Sequence, residues 1–207
     1  MSKFAYHTTL RRLKNNNGVV GGLPRIYSID DDSYWYGYAE VNVDATSPFA
    51  RVKVHDLRVQ GDSTITDGSL IKDRVDNSIY LVMSIKGIYS GGLVAYKDGT
   101  LYLCNTTATI KRFQDGARDT FGKLIIKTPT VIASRIYIMT NPQNYTTIVG
   151  QDTIEQANKI KIAIQSKHGV KLKDRIETST GQNYIVENID TESLTGMVIL
   201  YCDTDLR

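Results

Sequence analysis

Cysteine is nearly absent from this sequence of 207 residues, which contains only Cys104 and Cys202. Two cysteines so far apart are too few for a disulfide framework, so we expect both to be reduced, buried thiols. Long apolar runs are also missing. Stretches such as 131–133 are far too short to span a bilayer, and residues 1–7 lack the apolar core of a signal peptide. These features predict a protein that is made in the cytoplasm and has no membrane partner.

Catalytic and metal-binding motifs are missing as well. The sequence contains no nucleophile elbow, P-loop, dinucleotide fingerprint or His-Glu-x-x-His motif. The three histidines, His7, His55 and His168, are isolated, with no second histidine or cysteine at the spacing of metal ligands. We therefore expect no catalytic residue, no metal and no cofactor, and we predict that the protein is not an enzyme.

A strong charge of one sign is also lacking, because 25 basic and 22 acidic side chains give a net charge of +3. Such a balance does not by itself indicate a nucleic-acid-binding protein. Basic residues are nevertheless concentrated near the N-terminus, where the first 25 residues contain no acidic side chain. Arg11 and Arg12 are our candidate contact residues there. They could face DNA, an acidic partner surface or only solvent, and the sequence leaves these alternatives open.

A helix is predicted at the N-terminus. Leu10 and Leu13 share one apolar face, and the Asn-rich residues 15–18 end the pattern. The glycine-rich stretch 18–24 that follows is typical of a flexible connector. We therefore predict that residues 1–25 form a short N-terminal helix and a flexible arm.

After residue 25, apolar and polar residues alternate with a period of two, which is typical of strands with one solvated face. The alternation is clearest in segments 49–54, 80–85 and 159–164. Asp-Gly pairs at 98–99 and 115–116 predict two tight hairpin turns. The sequence therefore predicts a mainly β protein.

One internal repeat stands out. Residues 72–85 carry Lys-Asp-Arg-Val followed by a Tyr-Leu-Val strand, and residues 173–189 carry Lys-Asp-Arg-Ile followed by Tyr-Ile-Val. The spacing of 101 residues between the two Lys-Asp-Arg segments favours two related modules over a solenoid, whose repeats are shorter. Chance recurrence is the alternative. We predict two related small β modules, of barrel or sandwich type, at 26–140 and 141–207.

Aromatic residues are abundant in one segment. Tyr34, Trp35, Tyr36 and Tyr38 place four aromatics in five positions, directly after the acidic residues 30–32. In a single strand, the tyrosines would share one face and the tryptophan would lie on the other. Because aromatics dominate cores and subunit interfaces, we predict Tyr34, Trp35 and Tyr36 as interface residues. A sugar-stacking platform is the alternative.

The acidic run at residues 30–32 favours a solvated loop over a calcium site, because it lacks the alternating ligand pattern.

Short motifs spread over residues 51–207 occur in the same order in a known family. They lie at 70–74, 79–82, 101–105, 115–116 and 171–200. These segments resemble head-closure or head-to-tail connector proteins of tailed phages, which often carry Gly-Asp, Trp-Leu-Val and Leu-Cys-Asn elements. Two positions depart from that pattern: Tyr80 stands where the family has tryptophan, and Lys72 stands where it has glycine.

The resemblance implies a structural subunit of the virion neck. Such a subunit would form a homo-oligomeric ring that binds a portal or adaptor protein and tail proteins. Double-stranded DNA would pass through its channel without sequence readout. The protein would be made in the host cytoplasm and reside in the virion between head and tail. The alternatives are a tail-completion or baseplate component and, from a different class, a carbohydrate-binding β module.

Overall fold

The computed structural model describes residues 3–15, 18–41, 54–113, 129–142, 145–146, 156–157 and 160–205. The chain divides into two compact units. Unit 1 comprises residues 1–104 and 192–197, and unit 2 comprises residues 105–191 and 198–207. The fold is mainly β with one short N-terminal helix, as predicted. Among the described residues, no helix combines the length and apolar character that crossing a membrane requires.

The elements of unit 1 are one helix and nine strands. They are α1 (Lys3–Asn15), β1 (Val19–Val20), β2 (Leu23–Pro24), β3 (Ile26–Ser28), β4 (Ser33–Trp35), β5 (Gly37–Val41), β6 (Val54–Gln60), β7 (Leu70–Asp73), β8 (Ile79–Ser90) and β9 (Leu93–Leu103). The remaining strands are β10 (Thr106–Arg112), β11 (Thr130–Pro142), β12 (Tyr145–Thr146), β13 (Gln156–Ala157), β14 (Ile160–Gln165), β15 (Arg175–Thr178), β16 (Asn183–Asp190) and β17 (Met197–Thr204), with a 3-10 turn at Ser166–His168.

Unit 1 is built on a seven-stranded antiparallel sheet in the order β4-β3-β7-β8-β9-β6-β5. Its two edge strands, β4 and β5, are separated along the chain by Tyr36 alone. In a flat sheet of seven strands the edges would lie roughly 29 Å apart. One residue cannot span that distance, so the sheet curls until its edges meet. Nine buried side chains form its core: Ile26, Ala39, Leu57, Val59, Ile65, Ile71, Tyr80, Val82 and Leu101.

A largely buried ion pair helps to join two strands of unit 1 that are not neighbours in the sheet. The Arg25 guanidinium donates to the Asp73 carboxylate on β7 at 2.5–2.9 Å, and also to the carbonyl oxygen of Ala39 on β5 at 3.3 Å. The side chains of Arg25 and Asp73 are 14% and 1% exposed. The hydrogen bonds to Asp73 hold the pKa of Arg25 above its ordinary value. Arg25 therefore links β7 to an edge strand that no backbone ladder joins to it.

The described part of residues 1–25 lies in unit 1 and does not form the separate arm that we predicted. α1 lies against β5, β6 and β9. Leu13 is 3% exposed, and the amide of Gly18 donates to the Leu13 carbonyl at 3.0 Å. A Cβ at Gly18 would collide with that carbonyl, so glycine permits the close approach. The buried Leu13 side chain and the ion pair of Arg25 hold this segment against unit 1.

Unit 2 contains a closed six-stranded barrel in the order β10-β11-β14-β17-β16-β15. Its core is aliphatic, with Ile110, Ile138, Ile164 and Val186 fully buried. Cys202 also lies in this core. Both Cys104 and Cys202 are free thiols, as predicted, but only Cys202 is fully buried, and Cys104 is partly exposed. Burial raises the pKa of each thiol to about 12. At neutral pH both are therefore un-ionised.

The boundary between the units differs from the predicted one. We placed it at residue 140, but β10 and β11 already belong to unit 2. β10 pairs with β15, with Ile110 opposite Ile176, so the barrel cannot form without the strands that begin at Thr106. Alternation alone could not show this, because it indicates that a segment is a strand and not which strand it pairs with.

The two units share one strand order. Strands β3, β5, β6, β7, β8 and β9 correspond, in chain order and in sheet order, to β10, β11, β14, β15, β16 and β17. Both copies carry a β-bulge directly after the matching Val82 and Val186. Both also have a left-handed residue before the first strand of the repeat, Gly68 (φ 79°) in one and Lys173 (φ 67°) in the other. The predicted relation between the modules thus extends to their local geometry.

The repeat is nevertheless aligned differently from the sequence match. Val82 exchanges backbone hydrogen bonds with Gly68 and Ser69, and Val186 does so with Lys173 and Asp174. Asp174 therefore corresponds to Ser69. Asp73 does not correspond to Asp174, because it lies at the end of its strand while Asp174 precedes its strand.

One of the two predicted hairpin turns is wrong, and the other lies at 115–116, outside the described residues. β9 runs without interruption through Asp98 and Gly99, and the chain turns instead at Gly91 and Gly92, which have φ values of 57° and 84°. A Cβ at Gly99 would approach the Ser84 carbonyl oxygen to 2.5 Å. Glycine is therefore present there for close strand packing, which an Asp-Gly pair cannot reveal by itself.

We predict that Asp73→Ala lowers the free energy of unfolding of unit 1 by roughly 3–5 kcal/mol, because it leaves the buried Arg25 guanidinium without its carboxylate. The matched control is Asp98→Ala, which breaks a pair whose side chains are 41% and 28% exposed and should cost less than about 1 kcal/mol. Trp35 is the single tryptophan and lies in unit 1, so its fluorescence during urea unfolding reports on this unit. Equal losses for the two variants would contradict the role of Arg25.

A second prediction concerns Gly68, the left-handed residue before β7. Gly68→Ala should destabilise the protein by more than Gly92→Ala, although both glycines have a positive φ. Gly92 has open space around it, so its alanine variant carries only a backbone strain of about 1–2 kcal/mol. A Cβ at Gly68 would also collide with the backbone of Gly196. Thermal unfolding of the two variants measures the difference. Indistinguishable midpoints would show that the backbones of Gly68 and Gly196 can move apart without loss of stability.

Candidate functional site

Four neighbouring strands of unit 1 present charged and hydroxyl side chains on one face. In the register of β5, β6, β9 and β8, one row across the strands consists of Tyr38, Arg58, Asp98 and Lys86. The next row consists of Glu40, Asp56, Thr100 and Ser84. Residues two apart on a strand point to the same side, so these eight side chains form one surface.

This surface is concave. It lines a groove of about 520 Å³, in the size range of small-ligand and side-chain pockets. The eight side chains of the two rows are joined in the lining by Leu57, Ile85 and Gly99. The sequence offered no sign of this site, because it depends on the register of four strands.

Charge pairing organises the centre of the groove. Arg58 donates to both carboxylate oxygens of Asp98, at 2.7 and 3.1 Å, and its guanidinium lies 4.5 Å from the centre of the Tyr96 ring. The hydrogen bond to Asp98 raises the pKa of Arg58 above its ordinary value. Lys86 lies opposite Asp98 on its other side. Arg58 is thus fixed by two partners and helps to shape the groove.

One end of the groove is acidic. Glu40 and Asp56 are directly opposite each other on β5 and β6, and both are exposed. Like charges at directly opposed positions destabilise a sheet unless a cation lies between them or nearby. Arg25 of the same unit lies close enough to interact electrostatically with Glu40, so unit 1 itself supplies a cation near this end. The far end, with Lys86 and Ser84, offers a cation and a hydroxyl donor.

The side chains of the groove can form ionic contacts and hydrogen bonds with a charged group. The groove contains no histidine or cysteine among its lining residues. Within the described ranges, no group of three or more His, Cys, Asp or Glu side chains is placed to hold a metal ion. Ionic contacts and hydrogen bonds to a partner are the chemistry that these side chains supply.

Unit 2 provides an internal comparison, because it has the same strands. Positions Ser84, Lys86, Asp98 and Thr100 of unit 1 correspond by register to Asn188, Asp190, Ile199 and Tyr201 of unit 2. Every one of the four differs in chemical type or size. The shared fold therefore does not require the charge pattern of the groove.

The predicted aromatic cluster is split by the structure. Trp35 ends β4 and Gly37 begins β5, so Tyr34, Trp35 and Tyr36 do not lie in one strand. Trp35 packs against the core and donates from Nε1 to Ser33 Oγ at 2.6 Å. The Tyr36 ring lies under Lys14 Nζ at 4.5 Å.

Of these three aromatic residues, only Tyr34 is broadly exposed, at 50%. Its ring centre lies 4.9 Å from that of Tyr27, and the Arg74 guanidinium lies 5.4 Å from it. The sequence shows no basic residue within this aromatic run, and the structure supplies Arg74 from β7's following turn and Lys14 from α1. Of the predicted interface residues, Tyr34 is therefore the aromatic one best placed for an external contact.

The other candidates from the sequence have clear positions. Arg11 and Arg12 are both exposed on α1. The acidic residues 30–32 serve unit 1 itself: Asp30 accepts the amide of Leu70 at 2.8 Å, and Asp32 accepts the hydroxyl of Tyr27 at 2.7 Å. Hydrogen bonds from Ser28 and Ser33 hold the pKa of Asp31 at about 2.

His55 is a buried histidine with an unusual environment. It is 8% exposed, its Nδ1 has no hydrogen-bond partner among the described residues, and its ring centre lies 4.9 Å from that of Tyr80. Burial lowers its pKa below the ordinary 6.5, against the opposing influence of Asp76, Asp56 and Asp73. The neutral form is therefore the one that fits the folded unit.

We predict that unit 1 loses stability as the pH falls below about 6.5, because the unfolded chain protonates His55 before the folded one does. This loss of stability is absent above that pH, and it grows as the pH falls until the lowered pKa of His55 in the folded state is reached. Its slope is at most about 1.4 kcal/mol per pH unit. Urea unfolding followed by Trp35 fluorescence at about pH 7.5 and about pH 5.5 measures it. His55→Leu should reduce the difference, and His7→Gln, at an exposed position, should retain it. Equal slopes in all three proteins would assign the effect to other groups.

No family model matches the chain, and neither the curated proteins nor the solved structures include a match to it. The groove, the exposed aromatic and basic residues and the repeated strand motif are therefore the features that bear on function.

Proposed function

We propose that the protein is a non-catalytic structural subunit of a tailed-phage neck ring, which joins the portal to the tail and helps to retain packaged DNA. The observation that carries the proposal is the arrangement of the motifs that resemble connector proteins. Segments 70–74, 79–82 and 101–105 lie mainly on β7, β8 and β9, which are consecutive strands of one sheet. These three motifs thus form a single packed element of unit 1.

The core positions of that element support the resemblance. Tyr80 is 2% exposed and packs with Val82 and Leu101 in the centre of unit 1. It occupies the position at which the connector proteins have tryptophan, so an aromatic core residue is retained there. The matching Tyr184 of unit 2 is also buried. The motif residues are therefore core residues, whose role is to fix the fold.

The mechanism that we propose is geometric and electrostatic. The closed barrel of unit 2 would be a rigid module, because every strand of a closed sheet is held on both sides, and unit 1 would be stiffened by its curled seven-stranded sheet and the Arg25 pair. Exposed side chains such as Arg11, Arg12 and Tyr34 and the charged groove supply contacts with neighbouring subunits, the portal or the tail. Basic side chains that face the channel would hold DNA through its phosphates, without reading its sequence.

The test is to image tailed particles and to assign the density of this protein. We expect several copies in a ring with rotational symmetry at the junction of head and tail, because a head-to-tail contact closes into such a ring. Particles assembled without the protein should contain heads that lose DNA and carry no tail. Density at a fibre tip, or a single copy without rotational symmetry, would contradict the proposal.

A further inference from the structure

We infer that the loop between β14 and β15 of unit 2 contacts the phosphates of duplex DNA, with Lys171 and Lys173 as its contact residues. We call this loop, residues 166–174, the basic loop. The inference deepens the proposed neck function, in which DNA passes through the ring, and it rests on that function. It names the described surface that would meet the DNA.

The basic loop has a counterpart in unit 1. Residues 61–69 join β6 to β7, as residues 166–174 join β14 to β15, and each loop is nine residues long. At the same position of the two loops, Ile65 and Val170 pack against the core of their own unit. The loops therefore share their length and their apolar anchor.

The two loops also end in the same turn. In the basic loop, the Asp174 amide donates to the Lys171 carbonyl at 3.2 Å, and the Lys171 amide donates to the Asp174 carboxylate at 2.8 Å. In unit 1, Ser69 and Thr66 make the same two contacts, each at 3.1 Å, with the Ser69 hydroxyl in place of the carboxylate. The turn therefore forms without lysine.

The charge of the loop is reversed between the units. Residues 61–69 contain two aspartates and no basic residue, whereas the basic loop contains three lysines and one aspartate. All three lysines are exposed. The aspartate, Asp174, is 1% exposed and accepts two hydrogen bonds from Arg112, at 2.7 and 2.8 Å. The carboxylate is thus neutralised within unit 2, and the exposed charged side chains of the loop are all lysines.

Two of these lysines are available to a partner. No described residue forms an ion pair or a hydrogen bond with the ammonium group of Lys171 or Lys173. Lys173 has a left-handed backbone, with φ 67°, where the corresponding residue of unit 1 is Gly68. Glycine adopts this conformation without strain, and a residue with a Cβ does not. Lysine therefore contributes something other than backbone geometry at this position.

Duplex DNA fits this surface better than a protein does. A duplex carries one negative charge about every 1.7 Å along its axis, so flexible ammonium groups can pair with phosphates wherever they meet the backbone. Lysine is depleted in protein interfaces, where Tyr, Trp, Phe and Arg are enriched, and the basic loop contains none of these four. Phosphate contacts of this kind hold DNA without reading its sequence.

Duplex binding by two variants tests the inference. Lys171→Thr/Lys173→Gly gives the basic loop the residues of unit 1 and removes two positive charges. Arg11→Gln/Arg12→Gln removes the same charge from α1 and is the matched control. In a titration with a fluorescent mixed-sequence duplex in low salt, we expect the loop variant to bind about tenfold more weakly. The slope of log K against log salt should decrease by roughly 1–2 in the loop variant, and the affinity of the control should change by less than about twofold.

Thermal unfolding separates a DNA contact from a structural role. Because glycine fits the left-handed position, the single variant Lys173→Gly should unfold at the same temperature as the original protein or higher. It should nevertheless bind the duplex more weakly. A loss of affinity that occurs only where the unfolding temperature also falls would assign the lysines to the fold and overturn the inference.

Three further outcomes would contradict the DNA contact. Equal losses in the two double variants would show that binding follows net charge alone. The original protein might also fail to bind the duplex in low salt, which would remove the basis of the inference. Poly-glutamate represents an acidic protein surface, and competition by it as effective as that of unlabelled duplex would assign the loop to a protein partner.

The two proposals fail in distinguishable ways. A symmetric ring in particles together with equal binding losses in the two double variants would retain the neck function and remove the DNA contact of the loop. A loss specific to the loop variant together with particles that lack a ring would retain the DNA contact and remove the neck function.

Discussion

The ion pair between Arg25 and Asp73 is the interaction on which the form of unit 1 depends. A curled sheet whose edges are not joined by a backbone ladder leaves polar groups along the seam, and buried polar groups must find partners. Arg25 satisfies the Asp73 carboxylate and one edge carbonyl, that of Ala39, at the same time. A buried pair of this kind adds little stability compared with apolar packing, but the loss of either partner is costly. The pair therefore acts mainly by fixing the position of β5 relative to β7.

The duplicated fold separates what the fold requires from what it permits. The bulges after Val82 and Val186 and the left-handed residues Gly68 and Lys173 recur because the same turn and twist must form in both units. Closure is achieved differently: unit 2 pairs β10 with β11, and unit 1 uses the short crossing at Tyr36 and the Arg25 pair. Residues that differ between the two units are not needed for this shared turn and twist. Such residues are candidates for a functional role.

The strands could be predicted from the sequence, and their partners could not. Period-two alternation identified the segments 80–85 and 159–164 as strands from local order alone, although residues 80–82 and 162–164 are buried on both faces. The Lys-Asp-Arg match placed Asp73 against Asp174, although hydrogen bonding aligns Asp174 with Ser69. The Arg25 pair joins residues 48 positions apart, and no local pattern encodes such a contact. The predicted flexible arm failed for the same reason, since a single buried leucine and a distant carboxylate hold it.

The sequence did not reveal the candidate site, because the groove forms only when its four strands pair in their native register. Glu40, Asp56, Arg58 and Asp98 are ordinary surface residues in the sequence, and they become a groove when β5, β6, β9 and β8 align. The aromatic run attracted attention because its residues are adjacent in the chain, but adjacency placed Trp35 and Tyr36 at a crossing between edges. Composition could therefore suggest interface material, while topology decided which of it faces outward.

Weak, charged contacts would suit a subunit that closes a ring, as we propose for this protein. A single exposed ion pair contributes about 1 kcal/mol or less, so a misplaced subunit held by one such contact dissociates quickly. Each subunit of a closed ring is held on two sides, and the last contact is intramolecular, which raises its effective concentration without any new interaction. Opposite charges on two different faces also speed the correct encounter and disfavour pairing of like faces. In the proposed ring, the exposed arginines of α1 and the charged groove of unit 1 would be surfaces of this kind, and the angle between neighbouring subunits would determine whether the ring closes.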